Sequence, residues 1–167
     1  MIKVYSNGLL YIKNKKYNCT IGKNGITENK REGDSCTPEG KYSIGPIFYR
    51  HDRISKMTTK IKSFRIKENM YWSDDPESKY YNKLIYFKDN SYESLYREDN
   101  IYDIVLVINY NTSPVQKYKG SAIFMHVANE NFSSTKGCIA LRISCLMEVL
   151  KVLKPKEKIH IINKKNF

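Results

Sequence analysis

The chain is poor in the residues that punctuate or staple small folds, with 8 glycines, 5 prolines, 4 cysteines and 3 histidines among 167 residues. No Ser/Gly/Pro-rich linker, internal repeat or low-complexity tract divides it, so a single domain over residues 1–167 is expected. The cysteines, Cys19, Cys36, Cys138 and Cys145, include no C-x-x-C pair. With so few histidines to help, a zinc site is not expected and no metal ligand is assigned. Long apolar runs are missing too, since none reaches the ~18 to 20 residues that cross a bilayer as a helix. Met1 to Tyr17 alternates apolar and charged residues without the continuous apolar stretch of a secretory signal, which by itself predicts a cytoplasmic chain.

Acidic residues are the scarcer charge, 17 against 29 basic ones, and the net charge is +12. Such a balance attracts polyanions over long range, and both nucleic acid and anionic cell-wall polymers qualify as partners. Lysine, asparagine, isoleucine and tyrosine are abundant, so part of the charge is a matter of overall composition. A basic module that binds nucleic acid would interleave basic and aromatic residues. The segment 52–100, rich in tyrosine, could supply such a stripe, but no nucleic-acid motif accompanies it.

What is present reads mainly as strand. Ile2 to Tyr5, the turn Ser6-Asn7-Gly8 and Leu9 to Lys13 form a hairpin pattern, and Tyr17 to Ile21 predicts a third strand with Cys19 buried in it. Residues 22–36 read as a loop, and Lys41 to Tyr49 resumes the period of two, so the first third is expected to be an antiparallel meander. Residues 52–100 predict an irregular insert or capping subdomain, with a short helix over Tyr92 to Glu98. Its aromatics form either the insert's own small core or the lining of a groove. Ile104 to Ile108 is continuously apolar, as in a central strand covered on both sides, and Ser121 to Val127 predicts its neighbour. After a brief strand at Ile139 to Leu141, Ser144 is positioned to cap a helix with Leu146, Val149, Leu150 and Leu153 on one stripe, stopped at Lys154-Pro155. Lys158 to Ile162 is the last expected strand.

Two residues carry chemistry. Cys138 follows Gly137 in Ser134-Thr135-Lys136-Gly137-Cys138, and His126 stands twelve positions earlier, at the end of Ala122-Ile123-Phe124-Met125. A thiol beside an imidazole can react as a thiolate at neutral pH, and a glycine before it lets a carbonyl approach backbone N–H groups. Taken singly, a histidine on an apolar strand is usually a core residue and a Gly-Cys pair is usually a turn. His51 is a rival base, though it stands among charged residues, and His160 reads as structural. Cys145 lies near a helix start with no histidine near it in sequence.

Together these stretches resemble the YkuD-type L,D-transpeptidases, cysteine enzymes that cross-link bacterial peptidoglycan. The resemblance rests on His126, on Thr135-x-Gly137-Cys138, on Thr37-Pro38-Glu39-Gly40-Lys41-Tyr42 and on Gly120 to His126, in the family's order. Tyr71 to Pro76, Tyr81-Asn82 and Asn100 to Val105 are similar to a compact subgroup. Lys136 stands where many members have histidine, Ala140 where they have arginine, and Ser91-Tyr92-Glu93 where the subgroup tends to have S-H-E.

The resemblance implies a mostly β, YkuD-like sandwich or meander with one principal helix. It implies that Cys138 attacks a carbonyl of a stem peptide, that His126 moves the proton, and that N–H groups at Gly137 and Cys138 hold the oxyanion. An amine of a second stem would resolve the thioester; water in its place would make the protein an L,D-carboxypeptidase, and another attacked bond an amidase or endopeptidase. Thr135, Lys136, Arg142 and Arg31 are the expected substrate contacts, no cofactor is needed, and peptidoglycan stem peptides are the expected partner rather than nucleic acid. Such a substrate implies the cell envelope or periplasm, against the cytoplasmic reading of the N-terminal stretch.

Overall fold

Ser6-Asn7-Gly8 turns the first strand, β1 (Ile2–Tyr5), back into β2 (Leu9–Ile12). Gly8 is required there. Its φ is +76°, and a Cβ would stand 2.9 Å from the Cys19 carbonyl. The computed structural model describes residues 1–164. β3 (Lys15–Asn18) completes the antiparallel hairpin pair, two residues earlier than the alternation suggested, and leaves Cys19 buried just beyond it. A short parallel pair, β4 (Ile26–Thr27) and β5 (Thr37–Pro38), brackets the glycine-bearing loop.

The ten-residue strand β6 (Gly40–Tyr49) joins the two halves of the main sheet. Its first residues pair with the last strand, β14 (Lys158–Ile162), and its later ones with β11 (Ile104–Ile108). The register shifts at Leu106 to Ile108, opposite Gly45. A Cβ on Gly45 would lie 2.9 Å from Asn109 Oδ1 and 3.0 Å from Val107 Cβ, so the close approach of the strands depends on glycine. The first third is therefore not one meander. β14 lies between β6 and β1, pairing with β1 in parallel.

Beyond β6 come β7 (Ser63–Arg65), β8 (Tyr71–Ser73), β9 (Leu84–Ile85) and β10 (Tyr92–Ser94). β7 runs parallel to β6, and the other three form a small sheet in the order β10-β8-β9. The expected helix over Tyr92 to Glu98 is absent. Tyr92, Glu93 and Ser94 pair instead with Ser73, Trp72 and Tyr71, because cross-strand partners outweigh the weak helical signal of three residues.

β12 (Phe124–Val127) and β13 (Ile139–Leu141) finish the main sheet, whose order is β13-β12-β11-β6-β14-β1-β2-β3, with β7 beside β6. The expected mostly β architecture with one principal helix is the one found among the described residues. That helix, α1 (Ile143–Val152), buries Leu146, Val149 and Leu150, each worth about 1.5–3 kcal/mol against exposure. Arg142 flanks its start without any side-chain cap, so Ser144 is already inside the helix rather than at its cap. Among the described residues no helix is long and apolar enough to cross a membrane.

The period of two divides the core. Ile104, Leu106, Ile108, Ile123, Met125 and Val127 face the aliphatic cluster with α1 and β1. Val105, Val107, Phe124 and the half-buried Cys138 face a second cluster holding Trp72, Leu95 and Tyr102. The aromatics of segment 52–100 thus separate, with Trp72 packed edge-on against Phe124 at 5.0 Å while Phe64, Tyr86 and Phe87 stay exposed.

Candidate active site

β12 and β13 run in parallel, with Met125 opposite Ile139 and His126 opposite Ala140. Phe124 is then opposite Cys138, and residues of one strand facing the same side are two apart. By this register Cys138 and His126 are diagonal neighbours on one face. Both line a cavity of about 500 Å³.

His126 is 6% exposed. Its Nδ1–H donates to the Val127 carbonyl at 2.8 Å, the tautomer a carbonyl partner requires, and Nε2 keeps its lone pair for a proton. Tyr102 covers the ring edge-on at 5.3 Å. Burial lowers the imidazole to about 4, only partly offset by the Val127 carbonyl, so His126 is neutral at pH 7.

The thiol is protonated as well. Burial pushes Cys138 up to about 12, the negative charge of Glu93 adds to it, and the Phe124 N–H opposes it. The Sγ–H donates to the Ala122 carbonyl at 3.1 Å, and Sγ accepts the Phe124 N–H at 3.4 Å. At rest the thiol is therefore neutral and turned toward the backbone before β12.

That backbone is held deliberately. Ala122 has φ +50°, in the left-handed region, and its N–H donates to Asn82 Oδ1 at 3.0 Å. The same oxygen takes the Trp72 Nε1–H at 2.9 Å, and Asn82 Nδ2 donates to the Tyr110 and Asn111 carbonyls at 3.0 and 2.7 Å. One buried amide thus fixes the turn that receives the thiol.

Around Cys138, Gly137 has φ +139°, and a Cβ would come 2.8 Å from the Cys36 carbonyl. The Gly137 N–H is already given to Thr135 Oγ1 at 3.1 Å, while Thr135 Oγ1 donates to the Cys138 carbonyl at 2.6 Å. Of the two expected oxyanion donors, Gly137 is occupied, and the Cys138 N–H makes no hydrogen bond among the described residues. The loop before β5 packs against this segment, with Lys23 N–H bonded to the Thr135 carbonyl and the Thr135 N–H to Ile21. Buried Thr37 receives the Gly22 N–H at 2.8 Å, and the ion pair of buried Lys30 with Asp34 holds the same loop.

Thr135 and Lys136 line the cavity with Cys138 and His126. Arg142 and Arg31 do not. Arg142 stacks over Phe132 at 5.1 Å and lines an adjoining cavity of about 530 Å³, which shares Ile101 and Asn129 with the first. The Arg31 side chain lies outside both cavities. His51 lines a different hollow, near β7, and His160 is on β14.

The far wall consists of residues to which sequence reasoning gave no role. Tyr102 donates its hydroxyl to Glu93 Oε2, and Arg97 lies over the Tyr102 ring at 5.2 Å while paired to Asp99. Arg50 and Arg53, at the end of β6, fasten this wall. Arg50 donates to the Arg97 carbonyl at 2.7 Å, and Arg53 pairs with Asp103 at 2.9 Å. The advance signals were that Tyr102 falls inside a subgroup-like stretch and that Glu93 ends Ser91-Tyr92-Glu93, where the subgroup tends to have S-H-E.

The YkuD family model, described as the L,D-transpeptidase catalytic domain, matches residues 1–161. No curated protein matches the chain. Among solved structures, the chain is similar to the helical cell shape determining protein Pgp2 of Campylobacter jejuni, with 15% identity and a TM-score of 0.53. The alignment covers 99% of this chain and 48% of that one. A K307A mutant of Pgp2 gives 16% identity and a TM-score of 0.52, over 99% and 47%. At this identity the likeness concerns the fold, and the chain spans about half the length of those proteins. The family match covers β1 to β13 and all but the last residue of β14, His126 and Cys138 included, and the chain belongs to the YkuD family of L,D-transpeptidase catalytic domains.

Proposed function

We propose that the protein is a cysteine acyltransferase of peptidoglycan, an L,D-transpeptidase that joins stem peptides through a thioester on Cys138. The observation that carries this reading is that a thiol and an imidazole with a free Nε2 line one and the same cavity.

Substrate entry displaces the thiol from the Ala122 carbonyl. His126 Nε2 takes the thiol proton as sulfur attacks the stem carbonyl, and the Cys138 N–H is the free donor for the oxyanion. Collapse of the adduct breaks the C–N bond, and the leaving amine, D-alanine for a tetrapeptide donor, takes the proton from His126. An amine of a second stem then attacks the thioester, loses its proton to His126 and expels the Cys138 sulfur, which recovers that proton. The thioester keeps the acyl group activated, so no external energy source is required.

A neutral resting pair suits this sequence, since the proton moves only when the carbonyl is present. The adjoining cavity provides room for a second peptide strand beside the first, which favours an amine acceptor over water. The net charge of +12 suits an anionic cell-wall polymer, and such a substrate sets the protein to work in the cell envelope.

Mass spectrometry of disaccharide-tetrapeptide stems incubated with the protein tests the reading. Cross-linked dimers lacking one D-alanine, absent with Cys138→Ala, are expected. Tripeptide alone would make it a carboxypeptidase, and unchanged stems would refute peptidoglycan acyl transfer.

A further inference from the structure

The cavity is basic with one exception. Lys23, Arg97 and Lys136 line it, and among its described lining residues Glu93 is the sole carboxylate. Arg97 is committed to Asp99 through two hydrogen bonds, at 2.8 and 2.6 Å, so it does not pair with Glu93. Glu93 Oε2 accepts the Tyr102 hydroxyl. Oε1 accepts no hydrogen bond among the described residues and is not among the sealed polar atoms that lack a partner, which leaves it open to the cavity.

A carboxylate half-buried in a protein wall, with one oxygen committed and the other free, is a costly group unless a cation meets it. Among the described residues no cationic side chain forms an ion pair with it. Lys136 and Lys23 are exposed, and neither forms an ion pair among the described residues. Those ammonium groups stand ready for carboxylates of an incoming peptide.

We propose that Glu93 is the ammonium-recognition residue of this cavity, selecting acyl donors that carry a free primary amine near the attacked carbonyl and carboxylates for Lys23 and Lys136. The inference rests on the peptidoglycan reading above and narrows it to stems whose diamino acid has an unmodified side-chain amine. Tyr102 has a joint part. Its hydroxyl orients Glu93 while its ring edge holds His126, so the recognition group and the base share one support. Burial and the nearby Asp74 raise the Glu93 carboxyl above its ordinary value, against Tyr102, Arg97 and Lys136, and an arriving ammonium would favour its ionised form.

The test measures binding without turnover. Cys138→Ala protein is titrated by calorimetry with a stem tetrapeptide bearing the free side-chain amine, and with the same peptide acetylated at that amine. Both titrations are repeated with Cys138→Ala/Glu93→Gln. Glutamine still accepts the Tyr102 hydroxyl, so the wall is retained while the charge is removed. The free-amine peptide is expected to lose about ten-fold or more in affinity on Glu93→Gln, and the acetylated peptide to bind both proteins alike. Equal binding of both peptides to both proteins would overturn the role of Glu93 and leave the peptidoglycan reading standing. An equal loss for both peptides would also overturn it, by marking Glu93 as structural. Failure of both peptides to bind the Cys138→Ala parent would refute the peptidoglycan reading, and the inference with it.

Discussion

The two faces of β11 and β12 are built from alternate residues of the same nine-residue set, yet they do opposite work. One face presents Ile104, Leu106, Ile108, Met125 and Val127 to α1 and the hairpin strands. The other presents Val105, Val107, Phe124 and His126 to an aromatic wall and a cavity. The aliphatic face needs only volume and shape. The other must hold polar groups out of water, and every one of them comes with a named partner: His126 with Val127, Cys138 with Ala122 and Phe124, and Tyr102 with Glu93. Aliphatic packing is concentrated on one side of the sheet and the candidate site on the other.

The sharpest way to break this division is at His126. His126→Gln is expected to lower turnover of stem peptides by about 10²- to 10⁴-fold, the usual worth of a positioned base, while its thermal midpoint stays closer to wild type than that of any aliphatic truncation. Steady-state product analysis beside a calorimetric melt checks both halves.

On the aliphatic face the expectation reverses. Leu106 is fully buried, and Leu106→Ala should cost about 2 to 5 kcal/mol in urea unfolding while the remaining folded protein keeps its turnover. A large catalytic loss without loss of stability would contradict the division.

Asn82 lies between these extremes. Asn82→Ala strips the Trp72 Nε1–H and the Ala122 N–H of their acceptor, at about 1 to 3 kcal/mol for each donor left unsatisfied. It also releases the turn that receives the thiol. Both stability and turnover should fall, and Asn82→Asp, which keeps the acceptor oxygen, should recover part of each.

The smallest effect is one of pH. The folded His126 titrates near 4 against an ordinary 6.5, so the unfolded chain binds more protons in between. Its contribution is present above about 6.5 and lost as pH falls toward 4. Urea midpoints should therefore drop further for wild type than for His126→Gln across that window. Identical pH dependence would mean that the ring is not buried as a neutral base.

How much of this was legible in the sequence follows the same division. The aliphatic face was readable because burial on both sides makes Ile104 to Ile108 continuously apolar, and because the stripe of α1 repeats at helical spacing. The candidate nucleophile and base could be proposed because glycine before Cys138 and an apolar strand leading to His126 are local features. The far wall was not readable. Glu93 and Tyr102 meet through strand pairing of β10 with β8 and through the anchors Arg50 and Arg53, none of which leaves a periodic trace. Tyr92 to Glu98 looked helical for the same reason, since its three paired residues are too few to show alternation. Arg142 and Arg31 were chosen by charge in a chain rich in bases, and charge does not say which way a side chain faces. The thiol's partner at rest was not readable either, because the Ala122 carbonyl is backbone held by a distant asparagine.

The central claim is that Cys138 carries the acyl group. Intact-protein mass spectrometry after rapid mixing with a stem tetrapeptide tests it most directly. A single adduct of the tripeptide-stem acyl mass is predicted, located at Cys138 by digestion, discharged by hydroxylamine and missing in Cys138→Ala. An adduct on Cys19, Cys36 or Cys145, or product formation by Cys138→Ala at the wild-type rate, would contradict the account.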